Sequence, residues 1–218
     1  QSRTSPLLAA VYKLDKSVSL YANYVEGLSQ GQTAPSTAAN RGEMLKPYVA
    51  KQKEVGVKYD AGRVAGSLAF FRTDKPRAFL NSSNLFGTYG KDRHQGLELA
   101  VQGEATQGLR LLGGLTWLDA QQQATGSATT DGKRVIGVPE MQANIGAEWD
   151  VPGVRGLAVD GRLVHTGSSY ANATNTLKVG GWNRLDLGVR YLTEVQGKLV
   201  TLRLRIDNVA DKNYWASV

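Results

Sequence analysis

Four arginines and an aspartate lie at even spacings near the C-terminal end: Arg184, Asp186 and Arg190 in WNRLDLGVRY, then Arg203 and Arg205 in LVTLRLRID. Guanidinium groups so placed can fork onto an anion or clamp carboxylates of a neighbouring segment. They offer no nucleophile and no proton acceptor near neutrality. Side chains that would are scarce. The chain has no cysteine, and its two histidines, His94 and His165, are far apart. No serine has a convincing histidine partner, so no catalytic residue and no protein-held metal site is expected. Two readings of the charges stand open: an electropositive funnel for an anionic ligand, or a salt-bridge network bracing a wall.

The elements that carry these charges alternate strictly. Val200, Leu202, Leu204 and Ile206 oppose Thr201, Arg203, Arg205 and Asp207, because successive strand side chains point to opposite faces. Leu185, Leu187, Val189 and Tyr191 oppose Arg184, Asp186 and Arg190 in the same way, and KEVGVKYD, GLELAVQGE and EMQANIGAEWD repeat the pattern. No helical period competes, so the chain reads as all-β. About ten strands are predicted, near 7–14, 18–26, 51–60, 63–73, 94–105, 108–119, 139–150, 156–166, 181–192 and 198–207. Short connections at 15–17, 61–62, 106–107, 151–155 and 193–197 alternate with long ones at 27–50, 74–93, 120–138 and 167–180. In an up-and-down sheet this gathers the tight turns at one end and the long loops at the other.

Composition narrows the partners. The chain has 218 residues, 21% of them charged, and a net charge of +7. Such a balance suggests anionic partners, yet no recognition helix, zinc finger or RNA-binding signature occurs, so nucleic acid is not expected. The longest apolar run, LLGGLTWL at 111–118, is too short for a membrane helix. Barrel strands need only about 9–11 alternating residues. No signal peptide is visible at QSRTSPLL, which fits a mature chain or an internal fragment. A soluble β-sandwich binding module would alternate too. Its strands typically run to about 5–6 residues, and it lacks the loop asymmetry seen here. Arg, Asp and Glu on the polar face suit a wet lumen, and turning the last strand over would place Arg203 and Arg205 in lipid at roughly 2–4 kcal/mol each. The architecture expected is an antiparallel up-and-down transmembrane β-barrel, here partial, with short periplasmic turns and long extracellular loops.

Six segments carry a family resemblance: LKPYVAKQKEVGVKYD at 45–60, RHQGLELAVQGE at 93–104, LLGGLTWLDA at 111–120, then GVPEMQANIGAEWD, RLDLGVRY and IDNVADKNYWASV. In that order they resemble the C-terminal half of the barrel of a TonB-dependent siderophore receptor, of the ferripyoverdine or ferrichrome type. The resemblance implies a Gram-negative outer-membrane location and a barrel of twenty-two strands around a plug. It places residues 1–218 as the C-terminal part, with the plug, the first half of the barrel and the last strand absent. It implies binding of a ferric siderophore and uptake driven by TonB–ExbB–ExbD through the plug region. Iron would be held by the siderophore rather than by a cofactor site, and the protein would be no enzyme. Haem or cobalamin would be the alternative cargo.

A large, often anionic chelate is met by aromatic faces and basic groups. The resemblance therefore points to Tyr48, Phe86, Tyr89, Tyr170, Trp182 and Trp215 as ligand-contact candidates. Each could instead belong to the aromatic girdle at the membrane interface. Trp182 shares the register of Arg184, which favours the lumen. Arg184, Asp186, Arg190, Arg203 and Arg205 are expected to line the lumen, chiefly as a network that holds the plug or braces the wall.

Overall fold

The computed structural model describes residues 4–217, and no helix occurs among them. Ten strands form one antiparallel sheet: β1 (Leu7–Lys13), β2 (Val18–Ser29), β3 (Tyr48–Asp60), β4 (Val64–Leu80), β5 (Phe86–Thr106), β6 (Leu109–Gln123), β7 (Met141–Asp150), β8 (Leu157–Thr166), β11 (Trp182–Val195) and β12 (Lys198–Ile206). Between β8 and β11, β9 (Ser169–Tyr170) and β10 (Lys178–Val179) form a small separate ribbon. Each long strand pairs with the next, leaving β1 and β12 as the two edges. The tight turns share one end. Between β11 and β12 only Gln196 and Gly197 intervene, with φ of 52° and 76°, the two positive values that a two-residue hairpin of matching twist requires.

Register turns the alternation into two continuous faces. Val55, Phe70, Leu97 and Trp117 face one another across β3–β6. Ile145, Leu163 and Leu185 do the same across β7, β8 and β11. These side chains are exposed, Trp117 and Ile145 at 61% each, as a lipid-facing band requires. On the concave face side chains converge instead. Ala69, Ala120, Ala158, Gln122 and Asp186 are buried there. Gly56 illustrates how close that packing is: it lies opposite Tyr21, and a Cβ on it would come 2.6 Å from the Tyr21 ring.

One segment departs from expectation. Residues 74–93 read as a long loop, but β4 and β5 continue through them, leaving only residues 81–85 as a connection. Arg77 pairs with Asp92 at 3.1 Å and Arg93 with Asp74 at 2.9 Å, so ion pairs tie the protruding hairpin where no apolar face is needed. Pro76 sits where β4 has only β5 beside it, a place where its missing N–H is tolerated.

Candidate functional site

At the loop end of β11 the inward register brings Trp182, Arg184 and Asp186 into a column. Trp182 is stacked on Tyr214, with centroids 4.1 Å apart and planes inclined by 22°. Arg184 donates from Nη1 to Tyr214 Oη at 3.3 Å and from Nη2 to Asp186 Oδ2 at 3.0 Å. Asp186 is wholly buried, and its other oxygen accepts the Asn208 backbone N–H at 2.9 Å. Asn208 takes a φ of 56°, which asparagine tolerates, and its side chain bonds both the N–H and the carbonyl of Lys212. The run Asn208-Val-Ala-Asp-Lys-Asn-Tyr214 thus has a physical role: its first residue folds the turn and its last returns an aromatic ring over Trp182.

Below this column the wall is ionic. Arg205 reaches Asp207 at 2.8 Å, Asp186 at 3.6 Å and Asp160 at 3.8 Å. Between β8 and β12 stands Gly188, and a Cβ there would collide with the Asp160 carboxylate. Nearer the turn end, Arg110 contacts Glu148 at 2.7 Å and Asp150 at 2.5 Å. Arg190 shares both acids, at 3.0 and 3.5 Å. This charge-balanced quartet joins β6, β7 and β11, so Arg190 braces the wall, as does Arg205 higher up. Arg203 faces Arg190 across the strand pair, and neither it nor Arg162 makes an ion pair among the described residues. Both open onto a hollow of about 630 Å³ that also borders Asp160 and Glu148. The wall is therefore braced in part and cationic in part.

The other aromatic candidates are scattered around the loop end. Tyr48 opens β3 and is half-buried. Phe86 starts β5, where the Asn40 side chain bonds both its N–H and its carbonyl at 2.9 Å. Tyr89 lies at the irregularity of the β4–β5 pairing and meets Phe79 edge-on at 5.7 Å. Tyr170 sits in β9, and its carbonyl accepts the Gly137 N–H at 2.9 Å. Trp215 is 75% exposed. Of the candidates, Tyr89 and Trp182 each meet another ring among the described residues, and only Trp182 does so by stacking. Glu148, Asp150 and Arg110 escaped sequence reasoning because their convergence depends on register. Tyr214 carried a signal in the spacing after Asn208. His165 faces outward and bonds Asn183 at 2.7 Å, away from the lumen. No group of three His, Asp or Glu side chains among the described residues is arranged to hold a metal. Chemically, the described lumen wall offers stacking and guanidinium contacts.

The family model described as TonB dependent receptor-like, beta-barrel, matches residues 1–209. This chain belongs to that family. Its apolar band accordingly faces the lipid of a Gram-negative outer membrane, and the family comprises transport receptors. This chain is 39% identical to the ferrichrome receptor FcuA of Yersinia enterocolitica, an alignment covering 99% of this chain and 29% of that protein. The crystal structure of BauA, the ferric preacinetobactin receptor from Acinetobacter baumannii, superposes with a TM-score of 0.87 at 40% identity, covering 97% of this chain and 33% of that one. The siderophore receptor PiuA from the same organism superposes with a TM-score of 0.79 at 25% identity, covering 95% and 32%. The chain thus spans about a third of the length of these relatives.

Proposed function

We propose that residues 1–218 form the C-terminal part of the barrel of an outer-membrane receptor that binds a ferric siderophore and passes it to the periplasm. The observation that carries this reading is the 40% identity over 97% of the chain to a ferric preacinetobactin receptor. The geometry agrees with it, because an aromatic stack seated on Arg184 at the loop end suits a large chelate with anionic or aromatic donors. In this reading Trp182 and Arg184 contact the ligand, and Tyr48, Phe86, Tyr89, Tyr170 and Trp215 are further contact candidates around the rim. Asp186, Arg190 and Arg205 hold the wall, and Arg203 supplies free positive charge. Iron arrives as cargo inside its chelator, so no resident cofactor is required. Energy comes from TonB–ExbB–ExbD acting on a plug domain, and the protein is a transporter rather than an enzyme.

The test is tryptophan-fluorescence quenching of the full-length receptor in detergent. Ferric hydroxamate, ferric catecholate and pyoverdine-type chelates are titrated, with haem and cobalamin as controls. Saturable quenching by one iron-loaded siderophore supports the reading and names the class. Quenching by haem or cobalamin alone overturns the cargo and keeps the barrel.

A further inference from the structure

Lys133 and Arg134 are the only adjacent lysine or arginine residues in the sequence. They lie between β6 and β7, in an extracellular loop, directly after the small polar run ATGSATTDG. Endoproteases with a carboxylate-lined specificity pocket cut at basic residues in such loops, because a mobile tip of small polar residues can enter an active site as an extended strand. Here the segment is not free to do so.

Every main-chain polar group flanking the two bonds of this pair is already taken. The Lys133 N–H donates to the Thr130 carbonyl at 3.1 Å, and the Lys133 carbonyl accepts from the Gln122 N–H at 2.7 Å. The Arg134 N–H donates to Asn175 Oδ1 at 2.6 Å. Its carbonyl accepts from Gln122 Nε2 at 2.7 Å and from Asn175 Nδ2 at 3.0 Å. The Val135 N–H donates to the Ala120 carbonyl at 3.0 Å. Strand β6 therefore holds one side of the segment, and the loop between β9 and β10 holds the other. Gln122 has no exposed surface, so this anchor is sealed from water. The two basic side chains differ. Arg134 is half-buried and pairs with Glu140, while Lys133 is exposed and has no ion pair among the described residues. The group a protease would recognise is on show, and the bond it would cut is locked.

We propose that Lys133–Arg134 is a latent cleavage site for a surface endoprotease of basic specificity, and that Gln122 and Asn175 are its shield. Such an enzyme must draw residues on both sides of the bond into a strand and bond their main chain itself. In this loop those bonds are made internally, so cleavage waits on an opening that breaks the contacts of Gln122 and Asn175. Hydrolysis then breaks the bond between the Lys133 carbonyl carbon and the Arg134 nitrogen. Water supplies the hydroxyl of the new Lys133 carboxyl group and the proton of the new Arg134 amine. The inference rests on the extracellular position of the loops and not on the identity of the cargo.

The test is limited trypsin digestion of the full-length receptor in detergent, with the new chain ends mapped by mass spectrometry. A synthetic peptide of residues 124–140 serves as the unshielded reference. Native wild-type protein is expected to be cut after Lys133 or Arg134 roughly a hundredfold more slowly than the peptide, or slower still. Asn175→Ala and Gln122→Ala are each expected to raise the rate in the protein roughly tenfold or more, with the strands left uncut. Adding Lys133→Gln and Arg134→Gln to Asn175→Ala is expected to abolish the new ends. Wild-type cleavage as fast as that of the peptide, or variants as resistant as wild type, overturns the shield. Cuts at Arg110, Arg162 or Arg190 in both variants also overturn it, since the joint would then hold the barrel rather than guard a bond. The comparison of wild type with peptide decides the matter even if a variant misfolds. Siderophore quenching on the uncut protein reports separately on the receptor reading.

Discussion

Asn208 and Asp186 are joined by a 2.9 Å hydrogen bond between a backbone N–H and a wholly buried carboxylate. That bond ties the segment after β12 to the middle of the lumen wall. It also sets where Tyr214 falls, because Asn208 folds the turn through Lys212. The placement of the Tyr214 ring at the rim thus depends on a charge that has no access to solvent.

Asp186→Ala is expected to free residues 208–217 while the barrel itself persists. Arg184 and Arg205 lose their common partner, and the Asn208 N–H loses its acceptor. Amide exchange over 208–214 should rise by roughly tenfold or more, in line with loss of a charge-assisted hydrogen bond. Exchange within Met141–Asp150 should stay unchanged. Protection of 208–214 equal to wild type would show that the turn holds without Asp186.

Trp182→Ala tests the stack itself. In the proposed reading the chelate packs on this ring, and an aromatic contact contributes about 1 kcal/mol beyond its buried area, so ferric-siderophore affinity should fall roughly fivefold. Calorimetry is the right readout, because the variant removes a fluorophore. Tyr214→Phe should cost less, since it keeps the ring and loses only the bond from Arg184. Unaltered affinity in Trp182→Ala would remove this ring from the binding surface.

The strands near the membrane were legible because oil and water impose period two on them. Leu97, Leu99 and Val101 against Glu98 and Gln102 need no further information. Above the membrane that force is gone. TDKPRAFL and FGTYGKDRHQ show no clean alternation, and their pairing rests on Arg77–Asp92 and Arg93–Asp74, contacts between residues 15 and 19 apart in sequence. That Arg184, Asp186, Arg190, Arg203 and Arg205 share one face of the sheet was legible from the same parity. Their division into bracing and free charges was not, because Glu148 and Asp150 reach Arg190 only through the β6–β7–β8–β11 register.

His94 gives the protruding hairpin a pH dependence. It lies opposite Thr73, half-buried, and burial lowers its pKa below the ordinary value of about 6.5; Asp92 works against the shift and Lys75 adds to it. A histidine kept neutral by the fold binds fewer protons than the unfolded chain, so stability is lost as pH falls below about 6.5. Asp74 does not contribute in that window. Burial works to raise its pKa, but the Arg93 hydrogen bond and the charges of Lys91, Arg72 and Arg93 outweigh burial and hold it low. Its stabilisation is present above the ordinary carboxylate value of about 3.9 and fades only as pH falls below that. Intrinsic-rate-corrected exchange of residues 72–95 should therefore accelerate between pH 7 and 5. His94→Gln should abolish the acceleration; if it persists, another group titrates there.

Gln122 couples two loops that sequence treats as independent. Its side chain is wholly buried, and Nε2 donates to the carbonyls of Arg134 at 2.7 Å and Ala173 at 2.9 Å. Asn175 completes the joint, accepting from the Arg134 N–H at 2.6 Å and donating to its carbonyl at 3.0 Å. Segments 124–140 and 167–181 therefore form one unit at the rim rather than two mobile arms. Gln122→Ala leaves the Ala173 carbonyl without its donor and the Arg134 carbonyl with Asn175 alone, at a cost of about 1–3 kcal/mol. Exchange at residues 133–137 and 171–176 should rise together in that variant, by a common factor. A rise confined to one segment would mean the loops move separately and that the rim is not a single preformed surface. Joint loosening with weakened siderophore binding would instead show that the receptor meets its ligand with a prebuilt wall, which keeps the entropy cost of ordering loops out of the binding step.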